Sequence, residues 1–193
     1  EEFARAGFAV SGIDPAAESI EVAQQHARAS GLTIDYRVGV AESLPCADAS
    51  FDCVACCDVL EHVDDLELAV QEVARVLKPG GCFFFDTINR TLRSKITAVN
   101  VPRAWHSTAF DDSNSHVWSH FIKPKELTAL MTRCGLENRE MKGIVPKANL
   151  LSVYLNLRRC WRGRISVKEL GERVRFGESR SLGISYMGFA IKQ

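Results

Sequence analysis

The sequence predicts an α/β fold on a mostly parallel sheet, and three observations carry that prediction. Short apolar runs alternate along the chain with amphipathic stretches, the order of crossover units on a parallel sheet. "GFAVSGIDPAAESIEVAQ" (7–24) is a buried strand that stops at an aspartate and turns at once into a helix. "CFFFDTI" (82–88) is too apolar for a sheet edge and belongs near the centre.

Taken in order, "FAVSGI" is the first strand, and residues 15–29 form a helix with Asp14 at its N-cap and Pro15 at its first position. "TIDYRV" (33–38) and "FDCVACC" (51–57) are the next two strands, separated by the turn "LPCADAS". Residues 64–77 carry Leu66, Val70, Val73 and Leu77 at helical spacing with acids in the first turn. "KPGG" stops that helix before the central strand. Residues 91–120 read as a helix and then an irregular loop with His and Trp. "KPKELTALMTRCGL" (123–136) is a helix ending at Gly135, residues 137–145 a strand, 146–180 a mixed helix and loop insertion, and "GISYMGFAIKQ" (183–193) the closing strand. Without repeats or low-complexity tracts, residues 1–193 read as a single domain.

The formal net charge of +0 hides an asymmetry. Residues 1–80 hold fifteen Asp/Glu against five Lys/Arg, whereas 142–180 hold ten Lys/Arg against three Asp/Glu. The basic segment suits an anionic surface, and no nucleic-acid partner is expected. The seven cysteines lie in apolar runs without the spaced loops of a disulfide framework and read as reduced thiols in a cytosol-like compartment. Cys53 and Cys56 form a C-x-x-C without a second pair, so buried strand cysteines are expected in place of a zinc site. No apolar run approaches the ~18 residues of a membrane span.

Three constellations carry chemistry. A carboxylate at the end of a strand, as at Asp14, accepts hydrogen bonds from both hydroxyls of a ribose; equally, Asp14 caps the helix that follows. The 40–54 loop reaches the same sheet edge, where the backbone of Ala41 and Glu42 faces an adenine or forms an ordinary solvated turn. In "CCDVLEHVDD" (56–65), a coil after Asp58 would put Asp58, Glu61 and His62 at i, i+3 and i+4. Two carboxylates and an imidazole suit Mg²⁺ or another divalent cation able to chelate a diol; the same residues also read as acidic decoration of a helix start.

Together "GIDP", "VAESLP", "FDCVACCDVLEHVDD" and "VLKPGGCFFFDTINRT" resemble a class I S-adenosylmethionine-dependent methyltransferase. More narrowly, "EHV" with "TINRT", then "HVWSHFIKPKEL" and "SYMGFAIK", resemble the O-methyltransferase family of ubiquinone biosynthesis. The likeness runs from about residue 2 to residue 193. It implies a Rossmann-like sheet closed by an antiparallel C-terminal strand, S-adenosyl-L-methionine as cofactor, and methylation of a phenolic or catechol hydroxyl on a polyprenylated quinone precursor. It assigns Asp14 to the ribose and Cys57 to the pocket lining. A divalent metal falls on Asp58, Glu61 and His62, with His62 also as the base, and His116 and Trp118 on the substrate wall. Asp58 stands where relatives commonly have the longer Glu. The family's glycine-rich loop and first strand precede a helix matching "EEFARAG", and none of the thirteen glycines forms a G-x-G, so that strand and loop are expected to be missing from this chain.

Within the insertion, "NLLSVYLNLRRCWRGRISVKEL" (149–170) sets apolar residues beside Arg158, Arg159, Arg162 and Arg164. It reads as an interfacial helix on anionic lipid, which implies a cytoplasmic protein peripheral at a membrane, or as a lid helix with solvated arginines. Two other readings compete. A nicotinamide oxidoreductase shares the acidic strand end, but short-chain members need Tyr-x-x-x-Lys, and Tyr154 is followed by Arg158. A lipid-associated assembly protein without turnover, or a methyltransferase for another small molecule, is the other.

Overall fold

The computed structural model describes residues 1–96 and 117–193. Two sheets form. A two-stranded parallel sheet pairs β1 (Ser11–Asp14) with β2 (Asp35–Val38), with α1 (Glu2–Arg5) before it and α2 (Ala17–Ala29) as the crossover. The second sheet has five strands in the order β3-β4-β7-β5-β6: β3 (Phe51–Cys56), β4 (Leu77–Ile88), β5 (Leu136–Pro146), β6 (Phe176–Ser179) and β7 (Ser185–Lys192). β3 and β4 pair parallel, whereas β7 runs antiparallel to both β4 and β5, as the resemblance implied.

The crossover between β3 and β4 is α3 (Leu66–Val76), whose buried face of Ala69, Val70, Val73, Ala74 and Val76 follows the helical stripe of the sequence. Asp65 caps it, accepting the N–H groups of Glu67 and Leu68 at 2.9 and 3.0 Å. The helix gives way directly to β4. Gly81 is required at this join, because a Cβ there would stand 2.8 Å from the Lys78 carbonyl oxygen.

Beside α3 lies α4 (Pro124–Arg133). The two helices cover one face of the sheet, and the core is built there from Leu60, Val70, Phe83, Phe85, Leu127, Met131 and Tyr186 among others. The sequence pattern located "CFFFDTI" in the interior of the sheet, and β4 does lie between two strands. Its faces are unequal, however: Phe83 and Phe85 are buried, while Phe84 is 44% exposed on the opposite face, against Phe189. Cys53 is exposed too, contrary to the expectation of buried strand cysteines. All seven cysteines are free thiols.

The insertion folds as a helical hairpin of α5 (Leu150–Trp161) and α6 (Val167–Val174), and its end adds β6 to the sheet, a strand the mixed helix and loop reading missed. Asn156, Cys160, Ile165 and Val174 are its buried side chains, whereas Leu151 is 68% and Trp161 45% exposed, with Tyr154 and Leu155 between them. No helix among the described residues is long and apolar enough to cross a membrane.

Candidate functional site

The parallel registers of β1 with β2 and of β3 with β4 bring the carboxyl end of each strand level with its partner's, and in open α/β sheets ligands lie at that edge. Asp14 is the last residue of β1. One oxygen of its carboxylate, Oδ1, accepts the N–H of Ala16 at 2.8 Å, a turn held by an aspartate two residues back. This corrects the expected helix start: the N-cap is Ala16, still extended and without a side-chain cap, and α2 begins at Ala17. A carboxylate has about four lone-pair sites, so this single bond leaves Asp14 able to accept from ribose hydroxyls as well.

The chain leaves β2 through Gly39, whose N–H donates to the Asp14 carbonyl at 3.1 Å. A Cβ on Gly39 would stand 3.1 Å from Pro45 and 3.2 Å from Ile13, so the turn folds tightly back on the strand end. Glu42 does more than the backbone contact read from the sequence. Its Oε1 accepts the N–H groups of Asp64 and Asp65 at 2.8 and 3.3 Å, which draws the 40–42 turn onto the segment that follows β3. Asp14, Ala41, Glu42 and the 57–65 segment thereby share one edge.

That segment is not the single-faced coil expected of Asp58, Glu61 and His62. Asp58 takes a left-handed φ of 53° and the next residues form a turn closed by His62 N–H on the Val59 carbonyl at 2.8 Å. Glu61, 2% exposed, points into the core beside Leu60, where its Oε2 accepts the Thr87 hydroxyl at 2.7 Å. Asp58 and His62 are exposed. Among the described residues no group of three His, Cys, Asp or Glu side chains could hold a metal ion, so the expected ligand set does not fit a divalent cation in this arrangement. The physical reason is the reversal at Asp58 together with the pull of Leu60 and Thr87 on the residues after it.

Asp86, two residues before the end of β4, was not singled out from the sequence. Its Oδ1 accepts the N–H of Asp58 at 2.8 Å, fixing the start of the turn. Burial raises its carboxyl above the ordinary range, and the neighbouring Asp58 carboxylate adds to the rise. Burial, then the charge of Asp86, pushes the Cys57 thiol up to about 11, and burial pushes Cys56 up to about 12. Both are neutral thiols near pH 7, suited to lining a pocket and not to nucleophilic attack. A lone acid ending the apolar run of a central strand was the available signal for Asp86.

Trp118 donates its indole N–H to the Thr91 carbonyl at 3.0 Å, with the Lys95 ammonium 4.8 Å from its ring centroid. Its expected companion on the substrate wall, His116, lies outside the described residues. A cavity of about 560 Å³ lies elsewhere, between α4 and the 60–67 segment, rimmed by the Arg90–Glu126 ion pair at 2.6 Å. None of Asp14, Ala41, Glu42, Cys57 or Asp58 lines it.

A family model described as a methyltransferase domain matches residues 1–85. The chain is 40% identical over 145 residues to the ubiquinone biosynthesis O-methyltransferase of Methylocella silvestris, covering 75% of this chain and 56% of that protein. It is 33% identical over 192 residues to the protein of the same name from Paramagnetospirillum magneticum, covering 100% of this chain and 67% of the relative. The chain thus spans little more than half the length of several of these relatives. Among solved structures, a SAM-dependent methyltransferase of Methanosarcina mazei superposes with a TM-score of 0.63 at 21% identity over 99% of this chain and 85% of that one. A structure from work on echinomycin biosynthesis gives 0.66 at 16% identity over 100% and 69%. At such identities these two speak for the fold alone. The fold, the strand-end acid and the sequence likeness to the Paramagnetospirillum protein converge: the chain belongs to the ubiquinone biosynthesis O-methyltransferase family of class I S-adenosylmethionine-dependent methyltransferases.

Proposed function

We propose that this chain carries the methyl-transfer site of an O-methyltransferase that acts on a phenolic or catechol hydroxyl of a polyprenylated quinone precursor. The observation that carries the reading is the convergence of Asp14, the 40–42 turn and the 57–65 segment on one strand-end edge through the Gly39 and Glu42 hydrogen bonds. The substrate class is supported by the name its relatives bear.

S-adenosylmethionine, when bound, supplies a methyl group on a sulfonium, and its passage to the phenolic oxygen leaves a neutral thioether. The protein's contribution is positioning and electrostatics. Asp14 accepts from the ribose hydroxyls, each charge-assisted bond contributing about 1.5–3 kcal/mol. The backbone at Ala41 and Glu42 borders the adenine, and Cys57 lines the pocket as a neutral thiol. His62, exposed on the turn after β3, takes the phenolic proton. Glu61 takes no part as a metal ligand, because its carboxylate is buried against the Thr87 hydroxyl.

Among the described residues β1 pairs with β2 alone and β3 with β4 alone, which leaves one edge of each strand unpaired. The exposed stripe of α5, Leu151, Tyr154, Leu155 and Trp161, runs beside Arg158, Arg159 and Arg162 and suits an anionic lipid surface, at about 1 kcal/mol per basic residue. Such a peripheral contact would bring the site to a polyprenyl substrate.

Calorimetric titration with S-adenosylhomocysteine tests the reading in the protein that carries residues 1–193. Asp14→Ala is expected to lower affinity by at least about a hundredfold, two charge-assisted bonds' worth. Unchanged affinity would remove the ribose assignment. Cofactor binding without turnover on any catechol would favour the assembly-protein alternative.

A further inference from the structure

We propose that Glu72 and Arg75, on α3, are positioning residues that set the cofactor-facing turn at 40–46 and so govern the affinity for the methyl donor. The inference rests on the cofactor reading above and extends it to two side chains that do not themselves line the strand-end edge.

The geometry is that of a clamp. Arg75 grips Glu72 through two parallel bonds, Nε to Oε1 at 2.7 Å and Nη2 to Oε2 at 2.8 Å, which fixes the plane of the guanidinium. The same guanidinium then donates to three acceptors on the loop: the Leu44 carbonyl at 3.0 Å, the Cys46 carbonyl at 2.8 Å and the Asp48 carboxylate at 2.6 Å. Glu72 completes the set by accepting the Leu44 N–H at 2.7 Å. Main-chain bonds from Ala49 to Arg75 and from Ser50 to Val76 extend the grip to the start of β3. Arg75 holds the Glu72 carboxyl below the usual carboxylate range, as expected of a working ion pair.

The path onward to the cofactor edge is short. Arg37 donates to the Pro45 carbonyl at 2.7 Å, Pro45 packs on Gly39, and the Gly39 N–H holds the carbonyl of Asp14. A loop released at Leu44 and Cys46 therefore slackens the packing around the strand-end acid itself, as well as the Ala41–Glu42 backbone.

The clamp is separable from the fold. α3 is anchored by its buried apolar face, and the side-chain partners of Glu72 and Arg75 outside α3 are in the 44–48 loop, while the main-chain bond from Ala49 to Arg75 is untouched by substitution. Losing the pair should loosen the loop while the helix stays seated. Binding energy lost from the donor site in this way appears in KM for the donor and not in the chemical step at saturation.

The test uses Arg75→Ala, Arg75→Lys and Glu72→Gln in the protein that carries residues 1–193, with Arg133→Ala as control because its ion pair, at 3.7 Å, joins α4 to Glu67 in the first turn of α3 and not to the 44–48 loop. Arg75→Ala is expected to weaken S-adenosylhomocysteine binding about tenfold and to raise KM for the donor in parallel. kcat at saturating donor and KM for the phenol should stay within about twofold. Arg75→Lys should fail to rescue, since an ammonium lacks the planar fork that meets Glu72 and the loop together. Glu72→Gln should fall between, and hydrogen exchange at 44–46 should quicken in all three. A lower melting temperature with unchanged donor affinity, or a fall in kcat at unchanged KM, would make the pair structural only and overturn the proposal. Should the wild type bind no S-adenosylhomocysteine, the cofactor reading falls and this inference with it.

Discussion

The two sheets of this molecule are held by different physics. Around β3, β4, β7 and β5, α3 and α4 bury a continuous apolar cluster that runs from Leu60 through Phe83 and Phe85 to Tyr186 and Ala190. Around β1 and β2, in the first fifty residues, Ile20 and Ala27 are the buried apolar side chains, and position is set by polar clamps: Glu42 on the Asp64 and Asp65 amides, Glu72 and Arg75 on Leu44 and Cys46, Arg37 on Pro45. Apolar burial is concentrated in one half and directional polar contacts set the other. Apolar burial is non-directional and scales with area, whereas hydrogen bonds are directional and contribute only about 1 kcal/mol net, so the two halves should answer differently to substitution.

The largest effect should come from the core. Phe85→Ala removes a ring packed at 5.4 Å from Phe83 and is expected to cost about 3–5 kcal/mol, read as a fall in the urea midpoint with little change in slope. Ile20→Ala, on the thinly packed side where Ala27 is the other buried apolar side chain, should cost no more than about 2 kcal/mol. Equal losses at the two positions would break the distinction.

An intermediate effect is expected at Glu61, a buried polar side chain inside the well-packed half. Glu61→Ala leaves the buried Thr87 hydroxyl without its acceptor and should cost about 1–3 kcal/mol, while Glu61→Gln keeps an oxygen for Thr87 and should cost less than about 1 kcal/mol. Neither variant should alter the heat of a Mg²⁺ titration. Saturable Mg²⁺ binding that Glu61→Gln abolishes would return this side chain to the ligand set and overturn its assignment to the core.

The same contrast explains what was legible in the sequence. Helical spacing at Leu66, Val70, Val73 and Leu77 and the apolar run before Asp86 reported the core half well, because burial imposes a period on the sequence. The clamps impose none. Glu72 and Arg75 sit at i and i+3 on what reads as an ordinary charged helix surface, and their loop partners are the Leu44 N–H for Glu72 and, for Arg75, the Leu44 and Cys46 carbonyls and the Asp48 carboxylate, about thirty residues earlier. Asp14 was legible because an acid at a strand end is a local pattern, yet its bond to Ala16 and the later helix start were not. The i, i+3, i+4 reading of Asp58, Glu61 and His62 failed for a comparable reason: it assumed helical backbone where a left-handed φ at Asp58 turns the chain.

The smallest predicted effect concerns Asp86, where the well-packed half gives up some stability at the start of the turn after β3. Burial, reinforced by the Asp58 carboxylate, raises its pKa above the ordinary 3.8, so the folded state holds this proton more tightly than the unfolded chain does. Its favourable contribution is complete below that value and is lost as pH rises through the folded pKa, after which the ionised carboxylate remains a constant burden. Asp86→Asn keeps an oxygen for the Asp58 N–H and removes the charge. The variant should match the wild type near pH 3, gain on it as pH climbs above about 4, and melt about 1–3 °C higher at pH 7. A gain that persists undiminished in acid would mean that packing and not charge is responsible. A loss at pH 7 would mean that the ionised carboxylate is itself an anchor for the turn, and that the edge of the stable half is built by the same polar logic as the sheet of β1 and β2.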